Sequence, residues 1–174
     1  MTGRPGIGKT STLRRVVKEL ERREYAVGGM ICSEVREGGI RVGFEIKDLS
    51  TGERGWLAHV NQPEGPRIGK YRVNLTDLDI IGVGSILGAL QTADIVAIDE
   101  IGPMELSSQA FGNALMRAVE SDKPILGTIH YGLKNPLINR IKEREDVEIF
   151  KVTYENRETL HTVIANNLSE NLIK

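Results

Sequence analysis

With 174 residues, 23 Lys plus Arg against 24 Asp plus Glu and a net charge of −1, the chain has room for one domain spanning 1–174 around a single substantial core. It is too short to carry a separate lid domain and too evenly charged to advertise a nucleic-acid surface, so no nucleic-acid partner is expected. The lone Cys32 cannot form an intramolecular disulfide, and no membrane-length apolar run or secretory leader pattern occurs, which points to the cytoplasm and to no membrane association.

The chain opens on Gly3-Arg4-Pro5-Gly6-Ile7-Gly8-Lys9-Thr10, which meets the pattern G-x-x-x-x-G-K-[ST] at every defined position. Glycines at these places let consecutive backbone N–H groups turn inward around an anion, where a Cβ would block the approach of phosphate. Lys9 is expected to reach the β- and γ-phosphates, and the Thr10 hydroxyl to ligate the Mg²⁺ that bridges them. The helix that follows aims its positive end at the same charges. Only Met1 and Thr2 precede Gly3, whereas a P-loop ordinarily follows a buried strand of about five residues. That first strand is therefore expected to be missing from this chain and to lie upstream of Thr2.

Leu13, Val16, Val17 and Leu20 recur at helical spacing and predict an amphipathic helix laid on a sheet. Tyr25 to Ser33 is a nearly continuous apolar run of the kind a doubly covered parallel strand shows, and it ends in Glu34-Val35-Arg36 at the edge where α/β sheets place ligands. From about 37 to 75 the period changes to two, with Ile40, Val42, Phe44 and Ile46 alternating against polar residues and glycine. Trp56 to Val60 and Lys70 to Leu75 read as further strands around a loop with Pro63 and Pro66, which together predict an antiparallel β insertion covering one side of the site. A short helix is expected over Ser85 to Leu90.

Ile95-Val96-Ala97-Ile98-Asp99-Glu100 has the form of a Walker B strand: four apolar residues ending in two adjacent carboxylates, ninety positions after Lys9. Asp99 can hold a Mg²⁺ water opposite Thr10, and Glu100 can orient or deprotonate the attacking water. The rest of the chain alternates: a helix capped by Ser107 and stopped near Pro124, a strand Ile125 to His130, and a helix begun by Asn135-Pro136. A strand Val147 to Thr153 and a final helix capped by Asn156, with Leu160, Val163, Ile164 and Leu168 on one face, complete it. This order predicts a doubly wound, mainly parallel α/β sheet.

Hydrolysis of a nucleoside triphosphate also needs positive charge at the γ-phosphate. Arg36 and Arg140 are the candidates for it, with Arg144 and Arg157 also near predicted element ends. His59, His130 and His161 show no metal-ligand spacing, although His130 ends a predicted strand and could line the site. The residues leave three activities open: hydrolysis, phosphate transfer by a nucleotide or nucleoside kinase, and a nucleic-acid-linked regulatory ATPase. The adjacent carboxylates favour water as the acceptor.

The P-loop, Glu34-Val35-Arg36 with Gly38-Gly39, Arg41 and Gly43-Phe44, then Asp99-Glu100-Ile101-Gly102-Pro103-Met104-Glu105-Leu106, Val152-Thr153 and Glu155-Asn156-Arg157 make the chain resemble a known family over nearly its whole length. It is similar to the small nucleoside-triphosphatases described from thermophiles, which have a human, cancer-related member. The resemblance implies a RecA-like P-loop fold and Mg²⁺-dependent hydrolysis of ATP, GTP and other nucleoside triphosphates to diphosphate and phosphate, with low base specificity. It further implies nucleotide contacts from Gly3, Arg4, Pro5, Gly6, Ile7, Gly8, Lys9 and Thr10, and from Ile95, Val96, Ala97, Ile98, Asp99, Glu100, Ile101 and Gly102.

Overall fold

In the computed structural model, which describes residues 1–172, the P-loop turns directly into α1 (Lys9–Arg22). Leu13, Val16, Val17 and Leu20 are all buried, as their spacing predicts. Each removes a side chain worth about 1.5–3 kcal/mol of transfer free energy from water, enough to hold the helix on the sheet.

One seven-stranded sheet runs through the molecule in the order β4-β5-β3-β2-β1-β6-β7. Its strands are β1 (Val27–Glu37), β2 (Ile40–Asp48), β3 (Arg54–His59), β4 (Arg67–Ile68), β5 (Tyr71–Val73), β6 (Ile95–Ile101) and β7 (Ile125–Ile129). β1, β6 and β7 are parallel, whereas every pairing from β1 outward through β2, β3 and β5 to β4 is antiparallel. The sheet is therefore mixed, with the expected parallel core in β1, β6 and β7 and an antiparallel extension beyond β1. The residues expected to form an insertion instead continue the same sheet, because β1 keeps going after its parallel partner stops. It pairs with β6 only from Val27 to Met30, then runs on to Glu37 against β2 alone. The two strands separate at their C-terminal ends, and a crevice opens there.

Helices cover both faces, as a doubly wound sheet requires. On one side α1 and α6 (Leu160–Leu172) pack on Val27, Ile31, Ile95, Ala97 and Leu126. On the other, α3 (Gly84–Thr92), α4 (Gln109–Val119) and α5 (Pro136–Lys142) pack on Met30, Val96, Ile98 and Ile129. The expected short helix at 85–90 is the end of a longer one. α2 (Leu75–Asp77), capped by the Asn74 side chain, passes through a π-helical stretch Leu78–Val83 into α3. Glycines 82, 84 and 88 hide this element from a propensity reading, but Leu78, Ile81 and Ile86 bury against the core and hold it.

Other boundaries shift for local reasons. Ser108, not Ser107, caps α4, its hydroxyl accepting the Phe111 N–H at 3.1 Å while Ser107 ends a 3₁₀ turn, and the helix stops at Val119, before Pro124. Asn135 caps α5 with Pro136 in the first turn, as read from the sequence. Asn156 does not cap α6; its side chain closes the preceding turn by accepting from Thr153 N at 2.8 Å and donating to Lys151 O at 2.9 Å. Val163 faces solvent, and Ala165 takes its place on the buried face.

Ahead of the P-loop, Met1 and Thr2 lie between β7 and the segment around Lys151. Met1 N donates to Gly127 O and Met1 O accepts from Ile129 N, so this short segment lies along β7. On its other side Thr2 exchanges hydrogen bonds with Phe150 O and Val152 N. Of the expected strand Val147 to Thr153 the structure shows a single bridge, Thr2 with Lys151, rather than a strand. No helix among the described residues is long and apolar enough to cross a membrane.

Candidate active site

The P-loop forms because its glycines take conformations closed to other residues. Gly6 sits at φ 73° and Gly8, the N-cap of α1, at φ 109°. Ile7 between them turns inward and is buried, pinning the loop to the core, while Arg4, Pro5 and Gly6 are exposed. Lys9 is 9 % exposed, and its ammonium donates to Gly3 O at 3.2 Å across the loop. A buried cation held, among the described residues, by a loop carbonyl alone is poised to exchange that contact for an anion.

Facing the loop is a cleft of about 750 Å³. Pro5, Gly6, Gly8, Lys9, Thr10 and Arg14 line it on the P-loop side, and Asp99, Glu100, Gly102 and His130 line it from the ends of β6 and β7. The two motifs ninety positions apart thus meet in one crevice. Arg41, Phe44, Leu57 and Ile68 form the third wall, so the antiparallel half of the sheet covers one side of the site as expected.

Asp99 is fully buried. Its Oδ1 accepts a hydrogen bond from Thr128 Oγ1 at 2.5 Å, whereas Oδ2 has no partner among the described residues. Burial raises its pKa, opposed by the hydroxyls of Thr128 and Thr10. A buried carboxylate oxygen left bare beside a hydroxyl is an unsatisfied acceptor that a cation suits, and the Thr10–Asp99 pair fits a hard, oxygen-liganded ion such as Mg²⁺. Glu100 Oε1 is likewise buried without a partner. Burial pushes its carboxyl up, and the charges of Lys9 and His130 pull it back.

The remaining nucleotide-contact candidates divide by the geometry of a strand. Ile95, Val96, Ala97, Ile98 and Ile101 are buried in the cores on either side of β6, where they fix the carboxylates without reaching the cleft. Gly3 takes part through its carbonyl, and Arg4 points to solvent. Neither arginine candidate lines the cleft. Arg36 is tied to Glu34 at 2.8 Å and to Gly39 O at 3.0 Å by the turn that joins β1 to β2, and Arg140 is exposed on α5.

The cleft instead carries Arg14 and Arg41. Arg41 is clamped by Glu34 at 2.9 Å and the Tyr71 hydroxyl at 2.9 Å, with its guanidinium over the Phe44 and Tyr71 rings at 5.1 and 5.7 Å. Arg14 reaches Ser33 Oγ at 2.5 Å. Thr128 and Glu105 are also added by the structure. Glu105 is 4 % exposed beside Gly102, where a Cβ would come within 3.0 Å of its Oε2, and burial raises its pKa to about 8. A Met-Glu pair four residues after the acidic doublet was the visible signal for Glu105; a lone threonine inside an apolar strand gave none for Thr128.

Comparison with known proteins agrees with this geometry. A family model described as NTPase matches residues 1–165. The nucleoside-triphosphatase THEP1 of Thermofilum pendens is 48 % identical over 97 % of this chain and 93 % of its own, and that of Methanosarcina acetivorans 43 % identical over 99 % and 97 %. Among solved structures, THEP1 from Aquifex aeolicus superposes with a TM-score of 0.85 at 26 % identity, covering 96 % of both chains. The human cancer-related nucleoside triphosphatase superposes at 0.81 with 36 % identity, covering 97 % of this chain and 95 % of its own. Matched by that family model over residues 1–165 and by relatives 43–48 % identical over nearly their whole length, the chain belongs to the THEP1 nucleoside-triphosphatase family of P-loop NTPases.

Proposed function

We propose that the protein hydrolyses nucleoside triphosphates to diphosphate and phosphate in a Mg²⁺-dependent reaction of low base specificity in the cytoplasm. The observation that carries this reading is the shared cleft: a buried lysine in a P-loop faces a buried and a half-buried carboxylate, each with a buried oxygen that has no partner among the described residues. The γ-phosphate lies against Lys9 and the P-loop amides, which neutralise the oxygens on which charge gathers. Glu100 accepts a hydrogen bond from the attacking water and takes its proton as the water oxygen bonds to phosphorus. The bond to the β–γ bridging oxygen breaks, and its electron pair leaves with the diphosphate.

A carboxylate lifted by burial above its usual range is better matched to this proton transfer near neutral pH than a solvated one. Thr10 and Asp99 are the residues that would hold Mg²⁺, whose chemistry there is neutralisation of the β- and γ-phosphate oxygens. Thr128 fixes the Asp99 carboxylate so that its free oxygen points one way. Arg41 is the arginine whose wall faces the phosphates, and its clamp by Glu34 and Tyr71 limits the entropy lost on binding.

Phosphate release from ATP in the absence of any acceptor tests this reading. Release that depends on Lys9 is expected, whereas transfer only to an added nucleoside or nucleotide would make the protein a kinase.

A further inference from the structure

We propose that the nucleobase of the bound triphosphate stacks on Tyr154, on a turn held beside the P-loop by Arg157. This rests on the triphosphate occupying the P-loop as argued above. The turn between Lys151 and α6 runs along the side of α1. Thr12 Oγ1 and Arg15 Nη1 both donate to Arg157 O, at 3.5 and 3.3 Å. Arg157 Cδ lies 3.9 Å from where a Cβ on Gly8 would stand. Gly8, Thr12 and Arg15 follow one another on one helix face, so the turn flanks the same end of α1 that presents its amides to phosphate.

Within this turn Tyr154 is 71 % exposed, and it is joined to the P-loop through Arg157, which approaches Gly8. The Arg157 guanidinium lies over its ring at 5.1 Å from the centroid. Arg157 Nε is buried with no hydrogen-bond partner among the described residues and forms a 3.5 Å ion pair with Glu158, so the guanidinium is placed by that pair and by the ring. Asn156 ties the turn to the segment before it, accepting from Thr153 N and donating to Lys151 O. The result is a braced aromatic plane with a cation behind it and solvent in front.

The aromatics of the other wall differ. Phe44 is met edge-on by Tyr71 at 5.2 Å and covered by Arg41, so no comparable open face is offered there. Stacking is tolerant of base identity because every purine and pyrimidine presents a π-face. A platform without base-edge hydrogen bonds would bind the nucleotide and discriminate weakly among bases, with purines ahead of pyrimidines by ring area.

Calorimetric binding of the non-hydrolysable β,γ-imido analogues of ATP, GTP and CTP, and of inorganic tripolyphosphate, tests this on the wild-type chain, Tyr154→Ala and Tyr154→Phe. Tyr154→Ala is expected to weaken the three nucleotides by about tenfold, most for the purines, to leave tripolyphosphate within about twofold, and to be restored by Tyr154→Phe. Equal nucleotide affinity in Tyr154→Ala, or the same loss for tripolyphosphate, would overturn the stacking. If the wild-type chain bound neither nucleotide nor tripolyphosphate, the P-loop reading would fall first and the stacking with it. Tyr154 is exposed and makes no core contact, so the alanine variant is expected to fold.

Discussion

The two halves of the sheet meet at β1 and treat charge in opposite ways. Around β6 and β7 the polar groups are withdrawn from solvent and, among the described residues, several are incompletely satisfied: Lys9 rests on a single carbonyl, buried Asp99 and half-buried Glu100 each keep a bare oxygen, and Glu105 is nearly without solvent. Across the cleft the charged groups are exposed and already paired, Arg41 and Arg36 on Glu34, Arg54 on Glu45. Unsatisfied buried charge costs stability and is kept where a ligand completes it. Paired exposed charge contributes little energy and mainly sets geometry. The parallel half is therefore built to react and the antiparallel half to enclose.

The variants that break this contrast most strongly lie in the parallel half. Lys9→Ala is expected to lower turnover by about 10³-fold or more and to weaken triphosphate binding, measured by phosphate release and equilibrium binding. Glu100→Gln keeps the shape and removes the base, so the rate should fall by about 10² while affinity for ATP persists. Unchanged hydrolysis in that variant would take Glu100 out of the mechanism.

On the enclosing side effects should be smaller. Arg41→Lys retains the charge but not the two-sided clamp, and a loss of about tenfold in kcat is expected, whereas Arg140→Ala should stay within about twofold. Equal effects from the two would undo the assignment of Arg41.

The subtlest expectation concerns stability and pH. Glu105 has a folded-state pKa raised to about 8 from 4.5, so the folded protein holds this proton more tightly than the unfolded chain. Its contribution is complete below about pH 4.5 and is lost as pH rises through 8. Glu105→Gln, which cannot ionise, should therefore flatten the fall in Tm between about pH 5 and 8. An unchanged slope would show that Glu105 is not the group responsible.

What could be read from the sequence divides along the same line as the molecule. The P-loop and acidic doublet were legible because their chemistry demands fixed spacing, and the period-two run at Ile40–Ile46 announced a strand with one covered face. That β2 joins the main sheet, rather than forming a separate insertion, depends on where β1 leaves β6, and no local pattern records that. The sequence pointed to Arg36 and passed over Arg41 on the same hairpin, because only the register puts one against Gly39 and the other against Tyr71. The helix through Leu78–Val83 was obscured by glycines whose cost is offset by core contacts.

The central claim is that the opening loop and the acidic strand end grip one triphosphate between them. A crystal structure of the protein with Mg²⁺ and the β,γ-imido analogue of ATP tests it most directly. The account predicts β- and γ-phosphates against Lys9 and the P-loop amides, with the metal between Thr10 and Asp99. Phosphates bound away from Lys9, or a metal that leaves Asp99 Oδ2 bare, would contradict it.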